Sequence, residues 1–425
     1  MRNIAIVSEH ASPLAPPGSI DSGGQNVYVA QTARQLAAAG CRVDVYTRRD
    51  SADLPETIEW LPGVRVIHVP AGPARFLRKE DMLPHMDAFG EYLTRRIAGM
   101  PQPYDVIHAN FFMSALASLP AARRHGIPLV VTFHALGRVR RQHQGENDGF
   151  ADARFDIEDM VVRQADMIVA ECPQDRQDLL ELYGADPRRI SVVPCGFDAA
   201  EMQPMPCDTA RAGLGWDTPS FRILQLGRMV PRKGVDNVIR ALARLRRHHG
   251  IDARLCVVGG NSVEPCEQHT PELGRLRRIA QEEGVLDHIE FTGRRDRMEL
   301  RRYYCASDVF VTTPWYEPFG ITPVEAMACG LPVVGSDTGG IRSTVVHGQT
   351  GFLVPPRDPG ALAVRLAALA RDPALCRRMG EAGRRRARRL YTWERVGYAL
   401  LDVYHRVSRE EAVGAPAASG YALAQ

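Results

Sequence analysis

The stretch NIAIVSEHASPLAPPGSIDSGGQNVYVAQTARQLAAAG, residues 3–40, decides the fold. It opens on a short apolar run, NIAIVS (3–8), crosses a glycine-rich loop, PPGSIDSGGQN (16–26), and then places apolar residues at helical intervals until Gly40. Apolar side chains every three to four residues mark one face of a helix, whereas an unbroken short apolar run suits a strand buried on both faces. The unit is therefore strand, loop, helix. The alternation returns at CRVDVYT (41–47), VRVIHVP (64–70), YDVIHAN (104–110), LVVTFH (129–134) and DMIVAE (166–171), with helix-length segments at 113–125 and 154–165. Strands alternating with helices predict a parallel sheet covered on both faces.

Between Glu201 and Ser220 the chain turns irregular, with three prolines and two glycines, and reads as a linker. The cycle then restarts at FRILQLG (221–227). In the following GVDNVIRALARLRRHHG (234–250), Val235, Val238, Ile239, Leu242 and Leu245 share one helical face. Further strands are expected at RLCVVGG (254–260), HIEFTG (288–293), DVFVTT (308–313) and LPVVGS (331–336), and further helices at 358–370, 373–389 and 392–408. A chain of 425 residues exceeds what one core usually organises. The expected division is 1–205, 206–391, a helix over 392–410 that crosses back to the first domain, and a disordered Ala/Gly-rich tail, 411–425. Doubly wound sheets bind ligands beyond the carboxyl ends of their strands, so two in tandem place a site in the cleft between them.

Composition excludes several classes. Hydrophobic residues make up 45% and charged residues 24%, the balance of an ordinary globular protein. No apolar run approaches the ~18 residues of a membrane span, and the start MRNIAIVSEH lacks a signal-peptide core, so a cytoplasmic location is expected. The nine cysteines include no C-x-x-C pair, so neither a zinc site nor a disulfide framework is indicated. A net charge of +3 gives no reason to expect nucleic acid as partner, and the arginine runs GRRRARRL (383–390) and RLRRHHG (244–250), without interleaved aromatics, read as charged helix faces. Only two of the 53 basic residues are lysine, Lys79 and Lys233. Neither a G-x-G-x-x-G fingerprint nor a G-x-x-x-x-G-K loop occurs.

The chemistry concentrates in PWYEPFGITPVEAMACGLPVV (314–334), whose two acids, Glu317 and Glu325, stand among small and apolar residues. Thr322-Pro323-Val324-Glu325 predicts a helix start with Thr322 as N-cap and Glu325 closing a capping box, and Gly330 and Pro332 keep the helix short. A short helix whose N-terminus points into a cleft offers unpaired N–H groups from about Phe319 to Val324 and a positive dipole end, a site for phosphate. Gly320 lets a ligand approach the backbone. GRMVPRKG (227–234) supplies cations at the end of the second domain's first strand, Arg228 as a bidentate donor and Lys233 as a point charge. Capping and solvated loop charges explain each feature singly; neither explains Glu317.

These residues resemble those of the retaining, nucleotide-sugar-dependent glycosyltransferases of GT-B fold that carry an E-x7-E signature, glycosyltransferase family 4, over roughly residues 1–410. Glu317 and Glu325 match the signature, and Arg228 with Lys233 match its R-x4-K pair. The resemblance implies an α/β architecture of two Rossmann-like doubly wound parallel-sheet domains facing across a cleft, the first holding the acceptor and the second the nucleotide sugar. It further implies that Glu325 binds the ribose, that Glu317 contacts donor-sugar hydroxyls, and that the amides of Phe319, Gly320, Ile321 and Thr322 contact sugar and phosphates. Arg294, in FTGRRD (291–296), would adjoin the nucleobase. DSGGQNVYV (21–29) and TFHALGRVRR (132–141) resemble the sucrose-synthase and sucrose-phosphate-synthase-like branch, which includes enzymes acting on inositol phosphate or fructose phosphate. There Gly23 and Gly24 would admit the donor diphosphate and His134 would sit beside the transferred sugar.

For the acceptor, Lys79, Arg138, Arg140, Arg141 and Arg154 could form a phosphate pocket, or only a solvated basic surface. Phe111, in HANFFMS (108–114), stands where inositol-phosphate-using relatives have a tyrosine. No D-x-D metal motif is present, and FDIED (155–159) reads as a polar helix face, so no cofactor and no metal are expected. The expected activity is transfer of a hexosyl group from a UDP-, GDP- or ADP-sugar to a sugar or sugar phosphate, with retention implied by the resemblance. A related epimerase or phosphorylase, or an arginine-rich nucleic-acid-binding protein, are the alternatives.

Overall fold

A computed structural model describes residues 2–15, 23–145 and 148–410 of the chain. Most of the glycine-rich loop expected at 16–26 and the whole tail expected at 411–425 lie outside the described residues.

The first sheet contains β1 (Asn3–Val7), β2 (Arg42–Arg48), β3 (Thr57–Leu61), β4 (Val64–Val69), β5 (Val106–Asn110), β6 (Leu129–Thr132), β7 (Met167–Ala170) and β8 (Ile190–Val192). Their order across the sheet is β3-β4-β2-β1-β5-β6-β7-β8. Every pairing is parallel except β3 with β4. Strand β1 shows why its sequence reads as a continuous apolar run. Ile4 and Ile6 enter the core shared with the helix Gly24–Ala38, while Ala5 and Val7 enter the core on the opposite face. A strand covered on both sides has no polar face.

The second sheet contains β9 (Phe221–Leu226), β10 (Ala253–Val258), β11 (Ile289–Gly293), β12 (Val309–Thr312), β13 (Val333–Ser336) and β14 (Gly351–Val354), in the order β11-β10-β9-β12-β13-β14. All its pairings are parallel. The strands absent from the sequence reading, β3, β8 and β14, are the two edges of the first sheet and one edge of the second. β3 is half-exposed along its length, and β8 has three residues, so neither carries an apolar run long enough to register. The linker is less irregular than its composition predicts: Cys207–Ala212 forms a helix packed on the helix Arg297–Ala306, and Arg211 reaches Asp308 at 2.9 Å.

The last helix, Trp393–Glu410, lies on the helix Gly24–Ala38 of the first domain. Val396, Leu400, Val403, Tyr404 and Val407 are buried in the core that contains Tyr28, Val29 and Leu36. Tyr404 OH lies 2.7 Å from His108 Nδ1 in β5, and a Cβ at Gly397 would come within 2.7 Å of Gln35 Cβ. The last described helix thus packs on the first domain, and the second domain is tied to the first on both sides.

Candidate active site

Strand β9 ends at Leu226, and the chain then turns through Gly227 and Arg228 towards Lys233 and the helix Val235–His249. Gly234 closes that turn with φ of +66°, and a Cβ there would stand 2.0 Å from the Thr313 carbonyl oxygen. No other residue allows both the left-handed backbone and this contact. Thr313 Oγ1 donates to the Gly234 carbonyl at 2.9 Å, and Trp315 N–H donates to the Arg232 carbonyl at 2.9 Å. The cationic turn is thereby pinned to the segment that follows β12, the segment carrying Glu317.

Lys233 Nζ donates to the Glu317 carboxylate, and the two form a largely buried ion pair. Burial lowers the Lys233 pKa below the ordinary lysine value, against the pull of Glu317. Burial acts in the opposite sense on Glu317, but Lys233, Arg232 and Arg228 outweigh it and hold that carboxyl below its usual range. The backbone around Glu317 is braced by Gly339 and Gly340. Gly340 N–H donates to the Glu317 carbonyl at 2.9 Å. A Cβ at Gly339 would lie 2.0 Å from that carbonyl, and one at Gly340 would lie 2.3 Å from Phe319 Cα.

The helix Ile321–Ala328 starts two residues earlier than the capping-box reading predicts. Gly320, with φ of +89°, is the N-cap; Thr322 is the second helical residue and Pro323 the third, so the Thr322–Glu325 capping box does not form. The reason is that the Glu325 side chain is spent elsewhere. Tyr304 OH donates to Oε2 at 3.0 Å, and Arg297 Nη1 lies 2.9 Å from Oε1. That contact is an ion pair not aligned as a hydrogen bond, so Oε1 is buried beside the guanidinium without an aligned donor. Arg297 also pairs with Glu201 in the linker. Thr322, Phe319, Gly320 and Ile321 remain on the cleft wall with Arg228, Lys233, Glu317, Glu325 and Arg294.

The facing wall comes from the first domain. His134 adopts φ of +59°, with Nδ1 2.9 Å from Glu171 Oε1 and Nε2 3.0 Å from Asn110 Oδ1. Tyr28 packs edge-on at 4.8 Å. Such a backbone is strained for a non-glycine residue, and two ring hydrogen bonds hold it. Gly23 and Gly24, at the start of the helix Gly24–Ala38, bring the first domain's backbone close to the second. Cβ atoms there would fall 3.8 Å from Arg228 Nε and 3.7 Å from Ile321 Cδ1. Between the walls lies a cleft of about 330 Å³.

The acceptor-side cations divide. Lys79 and Arg140 line the cleft, Arg140 donating to Asp148 at 2.7 Å. Arg138 and Arg154 do not line it, which corrects their assignment to an acceptor pocket. Arg138 is clamped on Asp159 and lies over the Tyr183 ring. Arg154 is 1% exposed, donates to Glu158 at 2.7 Å, and is walled in by the Phe111, Phe112 and Phe150 rings at 5.1, 4.7 and 4.7 Å. Arg141 pairs with Asp152 at 2.6 Å. Arg138, on the helix Gly137–Gln144, meets Asp159 of the helix Ala153–Gln164 that carries the FDIED segment, whereas Arg154 pairs within that second helix with Glu158, one turn on. The sequence reading missed His10, whose Nδ1 lies 2.6 Å from the buried Glu9 carboxylate while its ring lines the cleft. It also missed Arg232, Arg297 and Tyr304. Among the described residues, no three His, Cys, Asp or Glu side chains form a group able to hold a metal ion.

Two parallel α/β sheets opposed across a cleft, with paired cations and a short helix at the strand ends of the second, define a glycosyltransferase of GT-B fold. The chain belongs to glycosyltransferase family 4. Residues 22–201 match the model for glycosyltransferase family 4 and residues 208–386 that for glycosyl transferases group 1. It is 36% identical to the D-inositol 3-phosphate glycosyltransferase 2 of Catenulispora acidiphila over 95% of each chain. It is 37% identical to the D-inositol 3-phosphate glycosyltransferase of Nocardiopsis dassonvillei over 96% of each. Among solved structures, the sucrose-phosphate synthase of Thermosynechococcus elongatus superposes with a TM-score of 0.87 at 32% identity, over 96% of this chain and 99% of that one.

Proposed function

We propose that the protein transfers a hexosyl group, with retention of configuration and without a divalent ion, from a nucleoside diphosphate sugar to a sugar or sugar-phosphate acceptor. The observation that carries this reading is the buried Lys233–Glu317 pair beside Arg228 on the wall of the interdomain cleft. Breaking the bond between the anomeric carbon and the diphosphate oxygen leaves negative charge on the diphosphate. Arg228, Lys233 and the first-turn amides of the helix Ile321–Ala328 are the groups positioned to stabilise it. Glu325 Oε1 accepts from a ribose hydroxyl, and Glu317, kept ionised by its cations, accepts from hydroxyls of the transferred sugar.

The acceptor hydroxyl attacks from the face the diphosphate leaves. Its proton passes to the departing phosphate oxygen as the new glycosidic bond forms. No side-chain nucleophile is needed.

A phosphorylated acceptor is supported by Lys79 and Arg140 on the cleft wall and by the relatives whose names specify sugar-phosphate or inositol-phosphate chemistry. Inositol phosphate itself is disfavoured by Phe111, which contributes no hydroxyl and instead packs edge-on against the His10 ring at 5.1 Å. A thermal-shift screen of UDP-, GDP- and ADP-sugars tests the donor, since a ligand at 100 times its Kd stabilises the fold by about 2.7 kcal/mol. Turnover with fructose phosphate, inositol phosphate and free fructose tests the acceptor. The anomeric proton coupling of the product tests retention. Loss of turnover on adding a chelator, or no shift with any of the donors, refutes the proposal.

A further inference from the structure

Tyr316 immediately precedes Glu317, yet its side chain is held largely by the other domain. Gln144 Nε2 donates to the Tyr316 hydroxyl at 2.6 Å. The His143 ring stacks on the phenol at 5.1 Å between centroids and 19° between planes. Both belong to the first-domain helix Gly137–Gln144. From the second domain, the Arg232 guanidinium lies 5.2 Å from the same ring, and the Arg232 carbonyl accepts from Trp315 N–H. One buried phenol is therefore gripped from both sides of the cleft, and its immediate neighbours in the chain and across the turn are Glu317 and Lys233.

Behind the turn the domains separate around a cavity of about 230 Å³, whose walls include Gln142, His143, Tyr316, Pro318 and Thr338. Beyond the cavity, Arg342 Nη1 reaches Gln174 only at 3.5 Å. At this level of the interface, the tyrosine makes the short, aligned contact.

We propose that Tyr316 is a cross-cleft positioning residue: its hydroxyl and ring couple the helix Gly137–Gln144 to the turn bearing Glu317 and Lys233, so that the two halves of the site come into register together. This rests on the cleft being the glycosyl-transfer site proposed above. Of the groups placed at the diphosphate and ribose, the charged ones, Arg228, Lys233 and Glu325, all belong to the second domain, so affinity for a free nucleoside diphosphate does not rest on the coupling. Transfer does need it, because the acceptor is carried by the first domain and reaction falls steeply with misplacement of the reacting atoms. The coupling therefore governs kcat and leaves nucleotide affinity alone.

The test compares the unaltered full chain with Y316F, Q144A and the double variant. Y316F keeps the stack and removes only the hydroxyl. In each single variant kcat falls about 5-fold, the size of one neutral hydrogen bond. The double variant falls no further, because both changes remove one interaction. The Kd for the nucleoside diphosphate of the preferred donor, measured by calorimetry, changes by less than about 2-fold, well under one hydrogen bond. Unchanged kcat in both singles, effects that multiply in the double variant, or a loss of nucleotide affinity matching the loss of kcat overturns the proposal. If the unaltered protein binds none of the three nucleoside diphosphates and transfers no sugar, the functional reading fails and the coupling with it; calorimetry on that protein alone tells the two failures apart.

Discussion

Lys233 is one of two lysines in a chain otherwise furnished with arginine, and its surroundings explain why a compact ammonium occupies that position. It fits against one Glu317 oxygen in a space bounded by Arg232 and Arg228, where a planar fork would need a second acceptor. Removing it takes a positive charge from the diphosphate side of the cleft and leaves Glu317 with weaker compensation. K233A and R228A are each expected to lower kcat/KM at least ~30-fold, the cost of one preorganised electrostatic donor. Steady-state kinetics with a melting-temperature control checks this, and near-wild-type activity would discard the assignment. At the same scale, Glu317 and Glu325 were legible from their spacing, whereas their partners were not. Arg297 and Tyr304 are distant in sequence from Glu325, and nothing in RRDRM or RRYYC singles them out from the chain's other arginines and tyrosines.

The elements around the site are held in place by backbone contacts that only glycine permits. Gly340 opens the helix Gly339–Thr344 against the turn at Glu317–Phe319, and a methyl group there meets backbone atoms, which cannot swing aside. G340A is expected to destabilise the protein by about 2 kcal/mol, within the range for overpacking a filled site, and to lower kcat/KM at least ~10-fold by shifting Glu317. Gly99 is the control: its backbone is unstrained and the nearest atom to an added Cβ is 3.7 Å away. G99A leaves activity unchanged. Thermal melts and kinetics on the two variants decide the matter. The Thr-Gly-Gly run at 338–340 was visible in the sequence, but a glycine pair reads the same in any loop until its neighbour is known.

At the scale of the molecule, the helix Trp393–Glu410 fastens the second domain's far side to the first domain, and His108 is a buried contact of that helix in the first sheet. Its nitrogens face Tyr404 OH at 2.7 Å and Thr132 Oγ1 at 2.8 Å. Burial, helped by His134, pushes the His108 pKa down to about 3. Below the unfolded value of about 6.5 the unfolded chain takes up a proton that the folded protein refuses until near pH 3, so stability rises with pH across that window. Between pH 7 and pH 5 this group alone removes about 2 kcal/mol. Denaturant unfolding at the two pH values should show that loss. H108N, although less stable at pH 7, should show a correspondingly smaller loss; an undiminished slope would mean that His108 is not the group responsible.

By itself the sequence determined what depends on local order along the chain. This comprises the two cycles of strands and helices, the apolar stripe of the closing helix, and the spaced pairs Glu317/Glu325 and Arg228/Lys233. Period and spacing follow from the geometry of one element or one turn, so they can be read without neighbours. The tertiary structure alone decided which charges are available. Arg138 and Arg154 look like Arg140 in sequence, yet Arg138 is taken up by Asp159 of a neighbouring helix and Arg154 by Glu158 of its own, both off the cleft, while Arg140, though paired with Asp148, lines it. The tertiary structure likewise turned Glu325 from a helix cap into a buried acceptor. The free energy of a charged group is set by what surrounds it in space, and those surroundings come from segments far apart in the chain.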